Sequence, residues 1–212
     1  MPKIEPFERY SEKYEDWFGK NKFAYQSELL AVKALIPENS EGIEVGVGSG
    51  KFAEPLGIKL GVEPSKEMGR IAEKRGINIL DTVAEKLPFN DAQFGFVLMV
   101  TTICFLDDIK AAFGEAYRVL KPGGCFIIGF VDKLSPLGKL YQLHKMKNVF
   151  YRIANFYSVD EVVSYLKEAG FENFAFVQTI FHNLGEIKEI EPIKEGYGEG
   201  SFVVIRAGKG KT

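Results

Sequence analysis

The sequence predicts an α/β fold: a mainly parallel sheet with helices on both faces and an antiparallel hairpin at one edge. Three observations carry this. Residues 43–50 read Ile-Glu-Val-Gly-Val-Gly-Ser-Gly, a β-branched run ending in three alternating glycines. A strand that turns through glycine into a helix is the ligand-binding corner of such a sheet. Residues 94–100 form a near-continuous apolar run, as expected of a parallel strand covered on both sides. Elsewhere short apolar runs alternate with helix-period segments, until two final strands follow one another with no helix between them. The alternation sets a parallel sheet, and the last pair sets the edge hairpin.

The elements follow in order. Residues 7–18 are too aromatic for a free tail, with Tyr10, Tyr14, Trp17 and Phe18. They are expected to fold over the ligand site, so that 1–36 forms an N-terminal lid or helical cap. Residues 22–35 carry Leu29, Leu30, Val32 and Leu35 at helical spacing and stop before Pro37. Strand one is 43–47. Pro55 and Gly57 leave room for little more than one helical turn before strand two, 58–62. Ser65 caps a helix over 66–75 and Gly76 follows it as the turn residue. Strand three is 77–81 and strand four 94–100. A helix over 108–120 has Ile109, Ala112, Phe113, Ala116 and Leu120 on one face. Lys121-Pro-Gly-Gly124 stops it ahead of strand five, 125–131. Residues 132–157 are an aromatic and lysine-rich insert, longer than an ordinary connection of roughly 2–6 residues. Ser158 caps the next helix, which ends at Gly170, and strands over 171–180 and 201–206 close the chain.

Composition narrows the function. The 212 residues are expected to form a single domain, 1–212, and their 46% hydrophobic and 26% charged content is that of a globular protein. A formal net charge of −2 offers no basic field for nucleic acid. No apolar run is long enough to span a membrane and the N-terminus is too polar for a signal peptide, so the expected location is cytoplasmic. The two cysteines sit in apolar runs, and two histidines without a Cys-x-x-Cys pair make a metal site unexpected. Oligomeric state is not legible.

Spacing separates the ligands that a glycine turn can hold. A dinucleotide fingerprint needs glycine at 51, where the chain has Lys51. A phosphate loop ending in Gly50-Lys51 needs glycine at 45 and a hydroxyl at 52, where Val45 and Phe52 stand. What remains is E-x-G-x-G-x-G, with Glu44 two residues before Gly46. A carboxylate beside the turn repels pyrophosphate and favours a cationic amine, which fits S-adenosylmethionine. Glu63, at the end of strand two, is placed to accept hydrogen bonds from ribose hydroxyls.

With these segments in place the chain resembles a class I S-adenosylmethionine-dependent methyltransferase of the small-molecule, type 11 branch. The anchors are Glu44-Val-Gly-Val-Gly-Ser-Gly50, Gly61-Val-Glu-Pro-Ser65, Ala84-Glu-Lys-Leu-Pro-Phe89, Phe94-Gly-Phe-Val97 and Arg118-Val-Leu-Lys-Pro-Gly-Gly124. The resemblance implies a Rossmann-like seven-stranded sheet of order 3-2-1-4-5-7-6, strand seven antiparallel. It implies S-adenosylmethionine as cofactor and Glu44, Gly46, Gly48, Gly50, Glu63, Pro64, Met68, Val83, Ala84 and Thr101 as the residues around it. Two positions depart from many relatives: Val83 stands where they carry Asp, and Cys104-Phe105 where they carry His-His. The expected reaction is in-line methyl transfer to an amine, hydroxyl or carbon nucleophile of a small molecule. Catalysis then rests mainly on orientation. A general base, if the acceptor needs one, comes from His144, Tyr141 or Glu28. The expected acceptor pocket is made by Tyr14, Trp17, Tyr141, His144 and Tyr151. The alternative is a regulator of the same fold that binds S-adenosylmethionine or a nucleotide without turning it over.

Overall fold

In the computed structural model, which describes residues 3–211, the N-terminal aromatic segment forms two helices. These are α1 (Glu5–Arg9) and α2 (Ser11–Lys20), separated at Tyr10. α3 (Lys22–Leu35) occupies its predicted span and ends at Ile36, whose extended backbone is what a residue before proline adopts. β1 (Gly42–Val45) leads through the glycine turn to α4 (Ala53–Leu56), a single turn closed by Gly57 at φ 74°. Then come β2 (Leu60–Val62), α5 (Lys66–Lys74), β3 (Asn78–Leu80) and β4 (Phe94–Val100). The Ser65 hydroxyl accepts from the Met68 N–H to start α5. α6 (Ile109–Val119) is capped by Asp108, which accepts from the N–H groups of Lys110 and Ala111. It runs straight into β5 (Leu120–Val131). α7 (Pro136–Leu143) lies in the insert, and α8 (Val159–Glu168) opens with a reciprocal cap between Ser158 and Glu161. β6 (Glu172–Thr179), β7 (Lys194–Glu195) and β8 (Phe202–Gly208) finish the chain.

The strands make one sheet in the order β3-β2-β1-β4-β5-β8-β6-β7. β1 to β5 are mutually parallel, and β8 is antiparallel to both neighbours. The predicted seven-strand order is therefore present, with β8 as its antiparallel member. The count needs correction to eight. The extra strand pairs Lys194 with Gln178 and Glu195 with Val177 at the edge. Both of its residues are charged and exposed, so no apolar run marks it. β5 also begins five residues earlier than expected. Leu120 pairs with Phe94 before a register shift, and Cys125 with Phe96 after it, so Lys121–Gly124 bulge out between them.

Period-two alternation divides the core in two. Val97, Met99, Phe126, Ile128, Val203 and Ile205 point to the face covered by α6 and α8. Phe96, Leu98, Val100, Ile127, Phe202 and Val204 point to the face covered by α3 and α5. On the first face Phe113 and Phe126 are both fully buried and meet edge to face, with ring centroids 5.2 Å apart. Phe113→Ala should lower the unfolding free energy by about 3–5 kcal/mol, the usual cost of emptying a buried aromatic site. Urea unfolding followed by circular dichroism checks this; a loss under about 1 kcal/mol would mean that α6 does not dock as described.

Candidate active site

The glycine turn is held by the neighbouring strand. The N–H groups of Gly46 and Val47 both donate to the Val62 carbonyl, at 2.8 and 3.0 Å. The Gly48 N–H donates to Glu63 Oε2 at 2.8 Å, and the Ser65 N–H donates to Glu63 Oε1 at 2.9 Å. Gly46 and Gly48 take φ of 71° and 55°, a region that favours glycine. A Cβ on Gly48 would lie 3.3 Å from the Tyr14 hydroxyl and 3.6 Å from Met68 Cε. At the end of β4 Thr101 also has positive φ, 54°, a strained setting for a β-branched residue. It is fixed by its N–H donating to the Gly129 carbonyl at 2.7 Å.

Two cavities meet at this corner. The first encloses about 740 Å³ including its mouth, and is lined by Gly46, Gly48, Val62, Glu63, Pro64, Met68, Val83, Ala84, Glu85 and Val100, with Lys3, Ile4, Phe7 and Tyr14 closing it from the N-terminus. Thr101, Thr102, Phe105, Leu106 and Asp107 contribute its remaining wall. The second, about 1090 Å³, is walled by aromatic side chains from α2, the insert and the segment after β4, with Glu28 and Tyr141 among its lining. Phe7, Tyr14, Thr101 and Phe105 belong to both cavities.

α1 and α2 are fastened over the corner by polar contacts. Glu8 accepts from the Ser65 hydroxyl at 2.8 Å, and Glu15 pairs with Lys51 at 3.0 Å and Arg75 at 2.6 Å. Arg75 also donates to the Ser49 carbonyl within the turn. Phe7 packs edge-on to Phe105 and against Phe150, with centroids 4.9 and 5.2 Å away.

Most residues named from the sequence come together here. Gly46, Gly48, Glu63, Pro64, Met68, Val83, Ala84 and Thr101 line the first cavity. Tyr14, Trp17, Tyr141 and Tyr151 line the second. Three named residues lie elsewhere. Gly50 lines neither cavity, because its open side faces Ile77 and Ala72. Glu44 is buried behind the turn, where one carboxylate oxygen accepts from the Ala53 N–H and Oε2 has no partner. His144 is exposed and lines neither cavity: α7 ends at Leu143, so the next residue leaves the inward stripe that holds Tyr141. Tyr141 is a poor base, since burial pushes its phenol up to about 12 and its hydroxyl bonds that of Tyr151. Lys3, Phe7, Glu85 and Phe105 also line the cavities, and no sequence pattern assigns them to the site; the aromaticity of 7–18 is the one signal, and it bears on Phe7.

The strand order, with β8 inserted antiparallel between β5 and β6, and a cavity under the first strand's glycine turn define a class I methyltransferase architecture. Known proteins agree. Residues 43–128 match a family described as a methyltransferase domain. A solved S-adenosylmethionine-dependent methyltransferase of Thermotoga maritima, named as a possible histamine N-methyltransferase, is 55% identical. It superposes with a TM-score of 0.95 over 97% of this chain and 99% of its own. An uncharacterized protein of Methanocaldococcus jannaschii is 49% identical over 96% of this chain and 98% of its own length. Demethylmenaquinone methyltransferase of Chlorobaculum parvum is 31% identical over 66% of this chain and 68% of its own. The chain belongs to the S-adenosylmethionine-dependent methyltransferases of the type 11 branch, and S-adenosylmethionine is its cofactor. The residues present fit that ligand: the cavity has glycine backbone where a Cβ would intrude, and an unpartnered buried carboxylate oxygen stands behind the turn. Among the described residues no helix is long and apolar enough to cross a membrane, and no cluster of His, Cys, Asp or Glu could hold a metal ion.

The site concentrates buried acids. Burial pushes Glu28 up to about 8 and Glu63 up to about 7, the latter despite two N–H donors. Burial, with the nearby Glu63 charge, also pushes Glu44 well up. Each of these groups binds its proton more tightly folded than unfolded. Their contribution to stability is therefore complete below the ordinary carboxylate value of 4.5 and is lost as pH rises through the folded values. Glu8, Glu15, Glu115 and Glu161 are shifted down and act only below that range. The ligand-free protein should melt at lower temperature as pH is raised from about 5 to about 9. A melting temperature that rises over this interval in scanning calorimetry would contradict the assignment of these three acids.

Proposed function

We propose that this methyltransferase moves the methyl group of S-adenosylmethionine to a small molecule held in the aromatic cavity. The observation that carries the reading is the wall common to both cavities, formed by Phe7, Tyr14, Thr101 and Phe105. For in-line transfer a donor in the first cavity and an acceptor in the second would meet directly beside these four residues, where the two cavities adjoin. The cofactor supplies a methyl group on a sulfonium, and its product is a neutral thioether that leaves without acid help. The protein's task is then orientation and exclusion of water, worth about 7–11 kcal/mol when geometry is favourable.

In this reading Glu63 accepts from the ribose hydroxyls while Gly46 and Gly48 let the backbone lie against the ligand. Met68, Val83 and Ala84 enclose the adenine with Pro64 beside them, and Glu44 supplies negative charge behind the turn for the amino group. Thr101 sits by the transferred methyl. α1 and α2 act as the lid, since they wall both cavities and are fastened to the turn through Glu8 and Glu15. The acceptor side is the aromatic insert with Tyr14, Trp17, Tyr141 and Tyr151. Histamine and demethylmenaquinone, the molecules in the names of a possible histamine N-methyltransferase and of a demethylmenaquinone methyltransferase among the relatives, each carry a flat ring, which suits walls of this kind. The adjoining second cavity favours turnover over a purely regulatory role.

A screen of amines, phenols and quinols for S-adenosylhomocysteine formation tests the reading; no turnover with any acceptor, at intact cofactor affinity, would favour the regulator. Glu63→Ala should weaken cofactor binding by about 1–3 kcal/mol, as expected for a lost hydrogen bond to a charged group. Calorimetric titration checks it, and an unchanged affinity would remove the ribose assignment. Deleting residues 1–18 should reduce both cofactor affinity and turnover, and retention of both would reject the lid.

A further inference from the structure

The second cavity has an unusual composition. Twelve of its twenty lining residues are aromatic, and Glu28 is the one carboxylate among them. Glu28 is only 4% exposed, yet its side chain makes no hydrogen bond or ion pair among the described residues. Burial alone accounts for the shift of its carboxyl. A buried acid with no donor carries a desolvation cost that packing does not return. α3 holds it in place. The neighbouring Ser27 hydroxyl donates to the Phe23 carbonyl at 2.7 Å and accepts from the Glu191 N–H at 2.8 Å, locking the helix to the segment before β7. A rigid helix that aims an unpartnered carboxyl into a cavity is a preorganised receptor.

Ring faces and a single carboxylate recognise the same chemical group. The faces attract a cation through their quadrupoles, and the acid supplies the counter-charge. A neutral phenol or quinol would leave Glu28 without a counter-ion. We propose that Glu28 is the acceptor-recognition residue of this enzyme, binding the protonated nitrogen of an aryl-alkyl amine whose ring packs among the aromatic walls. This rests on the reading of the second cavity as the acceptor pocket. Tyr141 and Tyr151 flank the charge, with ring centroids 4.4 Å apart and an interplanar angle of 34°, and Trp17 lies in the same wall.

Trp17 is the only tryptophan, so its fluorescence reports occupancy of the cavity directly. The probes are 2-phenylethylamine and its neutral counterpart 2-phenylethanol, titrated into protein saturated with S-adenosylhomocysteine at about pH 8.5, where an alkylamine remains mostly protonated. In the native protein the amine should bind at least about tenfold more tightly than the alcohol, a difference well above titration error. Glu28→Gln should abolish that preference while the alcohol binds as before. A preference retained in Glu28→Gln, or equal binding of both probes to the native protein, overturns the proposal and leaves the acceptor pocket standing. Failure of both probes to bind overturns the pocket as well. A second measurement needs no variant. Lowering the pH toward about 6.5 protonates Glu28 and should erase most of the amine preference in the native protein. Burial raises Tyr14, Tyr141, Tyr151 and Cys104 far above that window, and the remaining charged group lining the cavity is Lys13. A preference independent of pH would also overturn the role of Glu28.

Discussion

The corner depends on one carboxylate bridging two backbone segments. Glu63 takes the N–H of Gly48 on one oxygen and the N–H of Ser65 on the other. It thereby ties the turn after β1 to the start of α5, while the Val62 carbonyl beside it takes the N–H groups of Gly46 and Val47. Three donors of the loop that could otherwise go unsatisfied, together with the Ser65 N–H, are spent on the end of β2. The loop is thereby tied to the sheet, and the other parts of the site are set against it. Tyr14 rests near Gly48, Thr102 donates to the Gly46 carbonyl at 3.1 Å, and Arg75 reaches the Ser49 carbonyl.

That rigidity has an electrostatic cost. Glu28, Glu44 and Glu63 are all removed from water with few donors to replace it, and their proton affinities rise accordingly. Among the described residues no arginine or lysine is buried. The nearest basic groups of the turn, Lys51 and Arg75, are taken up by Glu15 and Glu54 on its outer side. The interior is thus built for positive charge and against phosphate. This is why the E-x-G-x-G-x-G spacing, rather than the mere presence of glycines, was informative.

What could be read in advance follows from which signals are local. α3 and β4 were legible to the residue because Pro37 ends one and the other is an unbroken apolar run. The strand order is what the family resemblance implies, and the pair of consecutive final strands independently points to its antiparallel edge. β7 is not legible, since its two residues are charged and exposed and carry no apolar alternation, and the segment before them is held to α3 by the Glu191 N–H on the Ser27 hydroxyl. The break at Tyr10 and the register shift opposite Phe94 have no glycine or proline at Tyr10 or Phe94 to announce them. Within the site, residues on the turn and at strand ends were found because backbone geometry places them. His144 lies outside because the end of α7, one residue before it, is not marked by glycine or proline. Gly50 is needed for close packing on α5 and Ile77 rather than for a ligand, and a glycine's presence does not say which.

The common wall has a further meaning. Phe7, Tyr14, Thr101 and Phe105 line both cavities, so the two chambers are bounded in part by the same residues. A ring that shifts to suit one ligand alters the surface offered to the other. Thermodynamic reciprocity then requires that whatever factor one ligand contributes to the affinity of its neighbour is returned unchanged. Under the proposed function the shared residues would therefore also couple the two ligands, and the selectivity of each chamber would be a property of the pair.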